Sequence, residues 1–229
     1  MWPRRHQPPD GRTPDEYFTG PMSKPPCDGT SIVAIAPSHS AAAETIFTSA
    51  RSHKAWLPQP VSPHLLGELY ALCKWGPTSK NCNPARFVFL TTADARARLL
   101  PFLDAGNVEK VRAAPVTVIV AFDPLFHEQL DSLHYIAGAG KEFAADVALA
   151  TTTALRNSSL QGAYLIIAAR LLGLDAGPIS GFNNDGVDAE FFAASGWKSN
   201  FLCNLGHGNP ATLRPRARRL TFEEACVIL

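Results

Sequence analysis

The stretch that most constrains this chain is residues 173–182, Gly-Leu-Asp-Ala-Gly-Pro-Ile-Ser-Gly-Phe, which directly follows a long apolar helical pattern over 155–172. A helix that stops at glycine and passes into a Gly-Pro-x-x-Gly loop leaves backbone N–H groups aimed outward. Such donors suit a planar, electron-rich ring or an anion, because glycines let the main chain approach closely. A connection that needs only a tight turn has the same composition. The loop alone therefore does not separate a ligand site from a plain turn, and other segments must decide.

The 229 residues suffice for one domain with a large core. The formal net charge is +1, so no global field recruits nucleic acid or a membrane surface. The strongest apolar run, residues 162–169, is too short to span a bilayer. Residues 1–26 carry charges and prolines without a continuous apolar core, unlike a secretory signal. The five cysteines, Cys27, Cys73, Cys82, Cys203 and Cys226, are scattered, with no Cys-x-x-Cys pair. Reduced thiols in the cytoplasm are the expectation. The histidines show neither His-x-x-x-His nor His-Glu-x-x-His spacing, so no metal site is expected.

Residues 1–42 read as a Pro-rich, disordered extension, and 43–229 as the globular domain. Helices are expected at 43–52, at 62–74 with Ser62 as N-cap and Pro63 in the first turn, and at 93–103 and 124–133. Further helix is expected through 143–172, at 185–194 and at 221–226. The β-branched and aromatic runs at 86–91, 115–122 and 200–206 read as strands. Irregular alternation with helices in excess points to an α+β fold rather than a doubly wound sheet.

Several motifs fail on context. Gly206-His207-Gly208 precedes Asn209-Pro210 rather than a helix, so it is no dinucleotide fingerprint. Gly138-Ala139-Gly140-Lys141 lacks the upstream glycine, the preceding strand and the following hydroxyl of a phosphate loop. No Gly-x-Ser-x-Gly elbow exists. Arg214, Arg216, Arg218 and Arg219 form a basic cluster that suits a solvated tail or a local phosphate clamp.

Two polar segments stand out. Residues 76–87, Gly-Pro-Thr-Ser-Lys-Asn-Cys-Asn-Pro-Ala-Arg-Phe, put hydroxyl and amide groups in a turn before a strand. Residues 50–56, Ala-Arg-Ser-His-Lys-Ala-Trp, form a basic patch near the start of the domain. Together with the 173–182 loop and the closing 216–224 segment, Arg-Ala-Arg-Arg-Leu-Thr-Phe-Glu-Glu, their order and separations resemble the FMN-dependent nitroreductase family. A finer resemblance, carried by residues 74–79, 156–159 and 198–200, is to the HadB/RutE-type malonic semialdehyde reductases of pyrimidine breakdown.

The resemblance implies a nitroreductase-type fold, with a central, mostly antiparallel sheet flanked by helices. It also implies an intertwined homodimer with FMN at its interface. By the same resemblance, Arg51, Ser52 and His53 approach the FMN phosphate and ribityl chain with Arg216 and Arg218. Guanidinium forks suit a phosphate dianion. Lys54 matches a position near the flavin pyrimidine edge. Thr78, Ser79, Asn81 and Asn83 match a turn that reaches the partner's flavin. Pro178, Ile179, Ser180 and Gly181 match the segment that packs on one flavin face. The implied activity passes hydride from NAD(P)H through flavin N5 to a small aldehyde, malonic semialdehyde, giving 3-hydroxypropionate, with no side chain named as proton donor.

Two departures bear on specificity. Ser180 stands where several family members carry glutamate, and Asn83 replaces the commoner glutamine. A general nitro or quinone reductase would use the same machinery. The third reading is a non-catalytic interaction protein, flavin-binding or flavin-free, that lost turnover; a chain freed from FMN would have no need to keep Arg51, Ser79, Asn81, Gly181 and Arg218 together. Phe182 and Trp56 are expected in packing rather than substrate contact.

Overall fold

The structure, a computed structural model, describes residues 41–229. The extension expected at 1–42 falls almost wholly outside the described residues. After a short helical segment over 41–48 come α1 (Pro63–Cys73), β1 (Ala85–Leu90), α2 (Ala93–Leu99), α3 (Ala105–Arg112), β2 (Val116–Phe122), α4 (Val147–Leu171), β3 (Asp175–Ile179), α5 (Asn184–Phe191) and β4 (Lys198–Gly206). The four strands form one sheet in the order β1-β2-β4-β3, and every neighbouring pair is antiparallel. The α+β expectation holds.

Strand β2 is buried at every position because both faces of the sheet are covered. Alternation sends Val116, Val118 and Val120 into one apolar cluster with Leu66, Leu69, Leu165 and Ala169 of α1 and α4. Ile119 and Ala121 enter the opposite cluster with Leu99, Val111, Val187 and Leu202. Each fully buried Leu or Ile contributes about 1.5–3 kcal/mol, so this central strand and its two covers carry much of the fold.

Helix boundaries follow local chemistry. Ser62 Oγ accepts from the Leu65 N–H at 3.1 Å, with Pro63 in the first turn, as expected. The helical region over 143–172 divides at Asp146, whose carboxylate accepts from Leu149 N–H at 2.9 Å and starts α4 afresh. Gly173, with φ of +78°, ends it. The helix expected over 124–133 is a 3-10 turn, Phe126–Gln129, followed by one α turn, Leu130–Leu133. The last helix is a single turn, Phe222–Ala225, closed by a Thr221–Glu224 capping box.

Three expectations need correction. The helix expected over 43–52 stops at Thr48, because Ser52 and His53 pair with Ala176 of β3 instead of continuing the helix. The 173–182 segment is not a loop throughout, since Asp175–Ile179 is an edge strand. Pro178 is tolerated there because an edge strand leaves one side without ladder bonds. Helix α3 was not expected at all.

Candidate active site

The site starts from the joint between residues 51–56 and the edge of the sheet. Ser52 bridges Ala176 in parallel, and His53 N–H donates to Ala176 O at 3.2 Å. Gly177 makes that approach possible, since a Cβ there would lie 2.4 Å from His53 O. On the other side Trp56 bridges Gly208, and Leu57 N–H donates to His207 O at 2.8 Å. The strap is thus laced to the end of β3 and to the segment beyond β4.

His53 is the buried member of the strap. Its Nε2 lies 3.4 Å from Asp175 Oδ1, while Asp175 Oδ2 accepts from Gly208 N–H at 2.8 Å. Its Nδ1 is buried and without a hydrogen-bond partner. The imidazole therefore anchors the strap inward. Ser52 and Lys54 on either side remain exposed.

Those three residues share a cavity of about 250 Å³ with Gly177, Pro178, Ile179, Ser180 and Gly181. Seven of the residues expected at the site come together here. Asn107, Lys110 and Asn204 complete the lining. Sequence reasoning missed all three. Lys110 Nζ donates to Asn107 Oδ1 at 2.7 Å, and Asn107 Nδ2 donates to Gly181 O at 2.9 Å. Asn204, buried on β4, accepts from Thr117 Oγ1 at 2.7 Å and donates to Lys110 O at 3.0 Å. The cavity thus presents two ammonium groups, Lys54 and Lys110, beside the main chain of the β3 end. The available signal was Asp104 ahead of an eight-residue segment with basic residues in its last turn.

Ser52 also lines a second cavity of about 560 Å³, with Arg51, Arg170, Arg216 and Arg219 around it. Arg216 Nη2 donates to Thr48 O and Ala50 O, each at 2.8 Å, and Arg51 Nη2 donates to Arg214 O at 2.5 Å. Burial pushes Arg170 below the ordinary guanidinium range, and the charge of Arg216 adds to this against opposing Cys203 and Asp175. Arg218 is placed differently from expectation. Its guanidinium forks onto the Glu224 carboxylate at 2.7 and 3.0 Å and does not line this cavity.

The 78–83 turn stands apart from both cavities. Asn81 and Asn83 line a third cavity, of about 420 Å³, with Trp75, Arg86 and Gln161. Lys80, Asn81 and Asn83 have φ of +54°, +53° and +40°, an uncommon concentration of left-handed backbone. The Asn amides expected to reach a ligand are engaged within the chain. Asn81 Nδ2 donates to Leu133 O at 2.8 Å, and Asn83 Nδ2 donates to Asn81 O at 2.6 Å. Gln161 Nε2 donates to Asn83 Oδ1 at 3.3 Å. Asn157 Oδ1 accepts from Ser79 N–H at 2.8 Å, so two buried amides of α4 hold the turn from beneath. Lys80 pairs with Glu142. Phe182 lies in the core, as expected of a packing residue, and Trp56 is half-buried against Gly177 and Gly206.

The nitroreductase family model matches residues 47–207. The chain belongs to the nitroreductase family. This nitroreductase is 53% identical over 186 residues to the Ralstonia nicotianae protein named "Putative NADH dehydrogenase/NAD(P)H nitroreductase", covering 81% of this chain and 95% of that one. A Rhodopseudomonas palustris protein of the same name matches with the same identity and coverage. Among solved structures, a Staphylococcus epidermidis protein described as a "putative NAD(P)H:FMN oxidoreductase" superposes with a TM-score of 0.75 at 15% identity, covering 83% of this chain and 97% of that chain. The "putative nitroreductase in complex with FMN" of Exiguobacterium sibiricum gives a TM-score of 0.71 at 18% identity, covering 83% and 98%. Membership makes this nitroreductase an NAD(P)H-dependent oxidoreductase that works through FMN.

Proposed function

We propose that FMN lies along the two cavities that meet at Ser52, with its phosphate among the arginines and its ring against the β3 end. The observation that carries this reading is the shared Ser52 wall between an arginine-lined and a lysine-lined cavity. The donor set fits the cofactor. Arg51 and Arg216 match a phosphate dianion, Ser52 a ribityl hydroxyl, and Lys54 and Lys110 an electron-rich ring edge. Asn107 suits the same edge, and Pro178, Ile179, Ser180 and Gly181 offer a close-packed wall.

When bound, FMN supplies the hydride relay between NAD(P)H and an acceptor. The chain's own residues then position and tune. Lys54 and Lys110 favour negative charge at the ring and draw in an anionic acceptor. Asp175 and His53 hold the strap that carries Lys54, Asn204 holds the Lys110 backbone, and Asn107 Oδ1 holds the Lys110 ammonium.

The acceptor proposed is malonic semialdehyde, whose aldehyde carbon gains hydride and whose oxygen gains a proton to give 3-hydroxypropionate. Its carboxylate matches the lysine-rich cavity. The segments carrying the finer resemblance also form one hydrogen-bonded scaffold. Asn157 holds Ser79, and Asn200 Nδ2 donates to Ser158 Oγ and Ser159 Oγ, each at 2.9 Å. The names of the relatives favour a broader nitro-reducing activity instead. Comparing kcat/KM for malonic semialdehyde with that for a nitroaromatic and a quinone decides the point. Clear preference for the aldehyde supports the proposal, and preference for either other acceptor replaces it with the general reductase.

The working unit proposed is a cytoplasmic homodimer. A single protomer leaves Leu155, Leu160, Tyr164 and Leu171 of α4 exposed, together with Val227, Ile228 and Leu229 at the C-terminus. A second copy would cover this apolar surface, and the strained 78–83 turn would meet the partner's flavin chiefly through Thr78 and Ser79, since its Asn amides are already engaged.

A further inference from the structure

The arginine-lined cavity holds more positive charge than one phosphate monoester uses. Arg51, Arg170, Arg216 and Arg219 line it, and none of the other described lining residues is acidic. A phosphate monoester carries about −1.5 to −2 at neutral pH. Arg51 and Arg216, on the strap and the facing tail, suffice for that charge. Arg170, which also feels the Asp175 carboxylate, and Arg219 remain.

They differ in character. Arg170 is half-buried at the end of α4, its Nη1 donating to Ile46 O at 2.9 Å and its Nε buried without a hydrogen-bond partner. It supplies fixed charge beneath the cavity. Arg219 is exposed, with Nη1 on the carbonyls of Ala217 and Arg218 at 3.1 and 3.3 Å. Those weak local contacts leave its fork free to turn onto an anion. Unlike Arg218, it has no carboxylate partner among the described ion pairs.

We propose that Arg219, over the fixed charge of Arg170, forms a second phosphate site that takes the 2′-phosphate of NADPH and so sets the choice of reductant. Four guanidinium groups in one cavity repel one another, a cost that the Asp175 carboxylate offsets at Arg170 and that a second anion would offset at Arg219. A transient anion fits better than a permanent one, because Arg219 sits at the surface. The cosubstrate must reach the cavity that adjoins through Ser52, and its adenosine end is the part able to extend to the arginines. The proposal rests on FMN occupying the first phosphate position.

The test uses the FMN-loaded protein. Binding of 2′,5′-ADP, 5′-AMP and inorganic phosphate is measured calorimetrically, and kcat/KM is measured with NADPH and NADH. The proposal predicts about 10- to 100-fold tighter binding of 2′,5′-ADP than of 5′-AMP, the range of one charge-assisted fork. It predicts a similar NADPH preference in kcat/KM, collapsing to within a few-fold in Arg219→Ala and partly kept in Arg219→Lys. Equal use of the two cosubstrates by the yellow wild-type protein overturns it. Inorganic phosphate binding as tightly as 2′,5′-ADP overturns it in favour of a free-anion site. Loss of FMN in Arg219→Ala would assign Arg219 to the flavin phosphate instead. A protein that takes up no FMN would sink the flavin reading itself, which is a separate result.

Discussion

His53 Nε2 lies 3.4 Å from Asp175 Oδ1, and this contact ties the strap bearing Arg51, Ser52 and Lys54 to the edge strand that walls the cavity. The same carboxylate holds Gly208 N–H, so one aspartate fixes both sides of the strap. Asp175→Asn is expected to weaken FMN binding several-fold while the protein stays folded, measured by flavin fluorescence and thermal melting. Gly208→Ala is the harsher change, because its Cβ would fall 2.1 Å from His53 Nδ1. It should cost about 1–3 kcal/mol in chemical denaturation, the range for overpacking. Unchanged flavin affinity in Asp175→Asn would contradict the anchoring role.

The two tail arginines should behave differently. Arg216 lines the arginine cavity and Arg218 is committed to Glu224. Arg216→Ala is expected to raise the FMN dissociation constant at least 10-fold, as for loss of a charge-assisted phosphate contact. Arg218→Ala should change it by less than about 3-fold, because exposed pairs contribute little. Equal losses, measured by equilibrium dialysis, would mean that the tail rearranges to bring Arg218 to the phosphate.

Arg86 staples the strained turn. Its Nη1 donates to Asn83 O and Ala85 O at 3.2 and 3.0 Å, and its Nη2 to Asp123 Oδ2 at 2.8 Å. Arg86→Ala leaves the half-buried Asp123 without its ion-pair partner and frees the left-handed residues, at a cost of about 1–3 kcal/mol. Arg86→Lys keeps the charge but not the fork and should recover only part of that. Hydrogen exchange across 78–85 should rise in both variants, and protection equal to wild type would show that Asn157 and Gln161 hold the turn unaided.

Burial pushes the thiols of Cys73 and Cys82 up to about 11 and that of Cys203 to about 12, from an ordinary 9.0. Because the folded values lie above the unfolded one, the fold favours the neutral thiols. Their contribution is complete below pH 9 and is lost as pH rises through 11 to 12. Iodoacetamide at pH 8 should therefore label exposed Cys226 and spare these three in the native protein. Mass-spectrometric labelling of Cys203 under those conditions would contradict its burial.

The central strands were legible because β-branched runs such as Val116–Phe122 need both faces covered, and that demand is written in each residue. The strap was not. Residues 49–54 carry helix-compatible side chains, and distant partners such as Ala176 O, which accepts from His53 N–H, and Asp175 beside the imidazole draw them into an extended form. Strand β3 was obscured by Gly177-Pro178, residues that usually interrupt a strand and here occupy an edge. Helix α3 was too short for its periodicity to stand out, so Lys110 and Asn107 went unseen, whereas motifs pointed to Lys54 and Gly181, which line the same cavity. The amides of Asn81 and Asn83 show the opposite case: their residue types suggested ligand contacts, and the three-dimensional turn uses them internally.

The most direct test is the absorption spectrum of the purified protein with added FMN, followed anaerobically by NADPH. A yellow protein holding one FMN per protomer, bleached by NADPH and losing its flavin when Arg51 is changed to Ala, is the predicted result. A colourless protein that cannot be reconstituted with FMN would contradict the account at its centre.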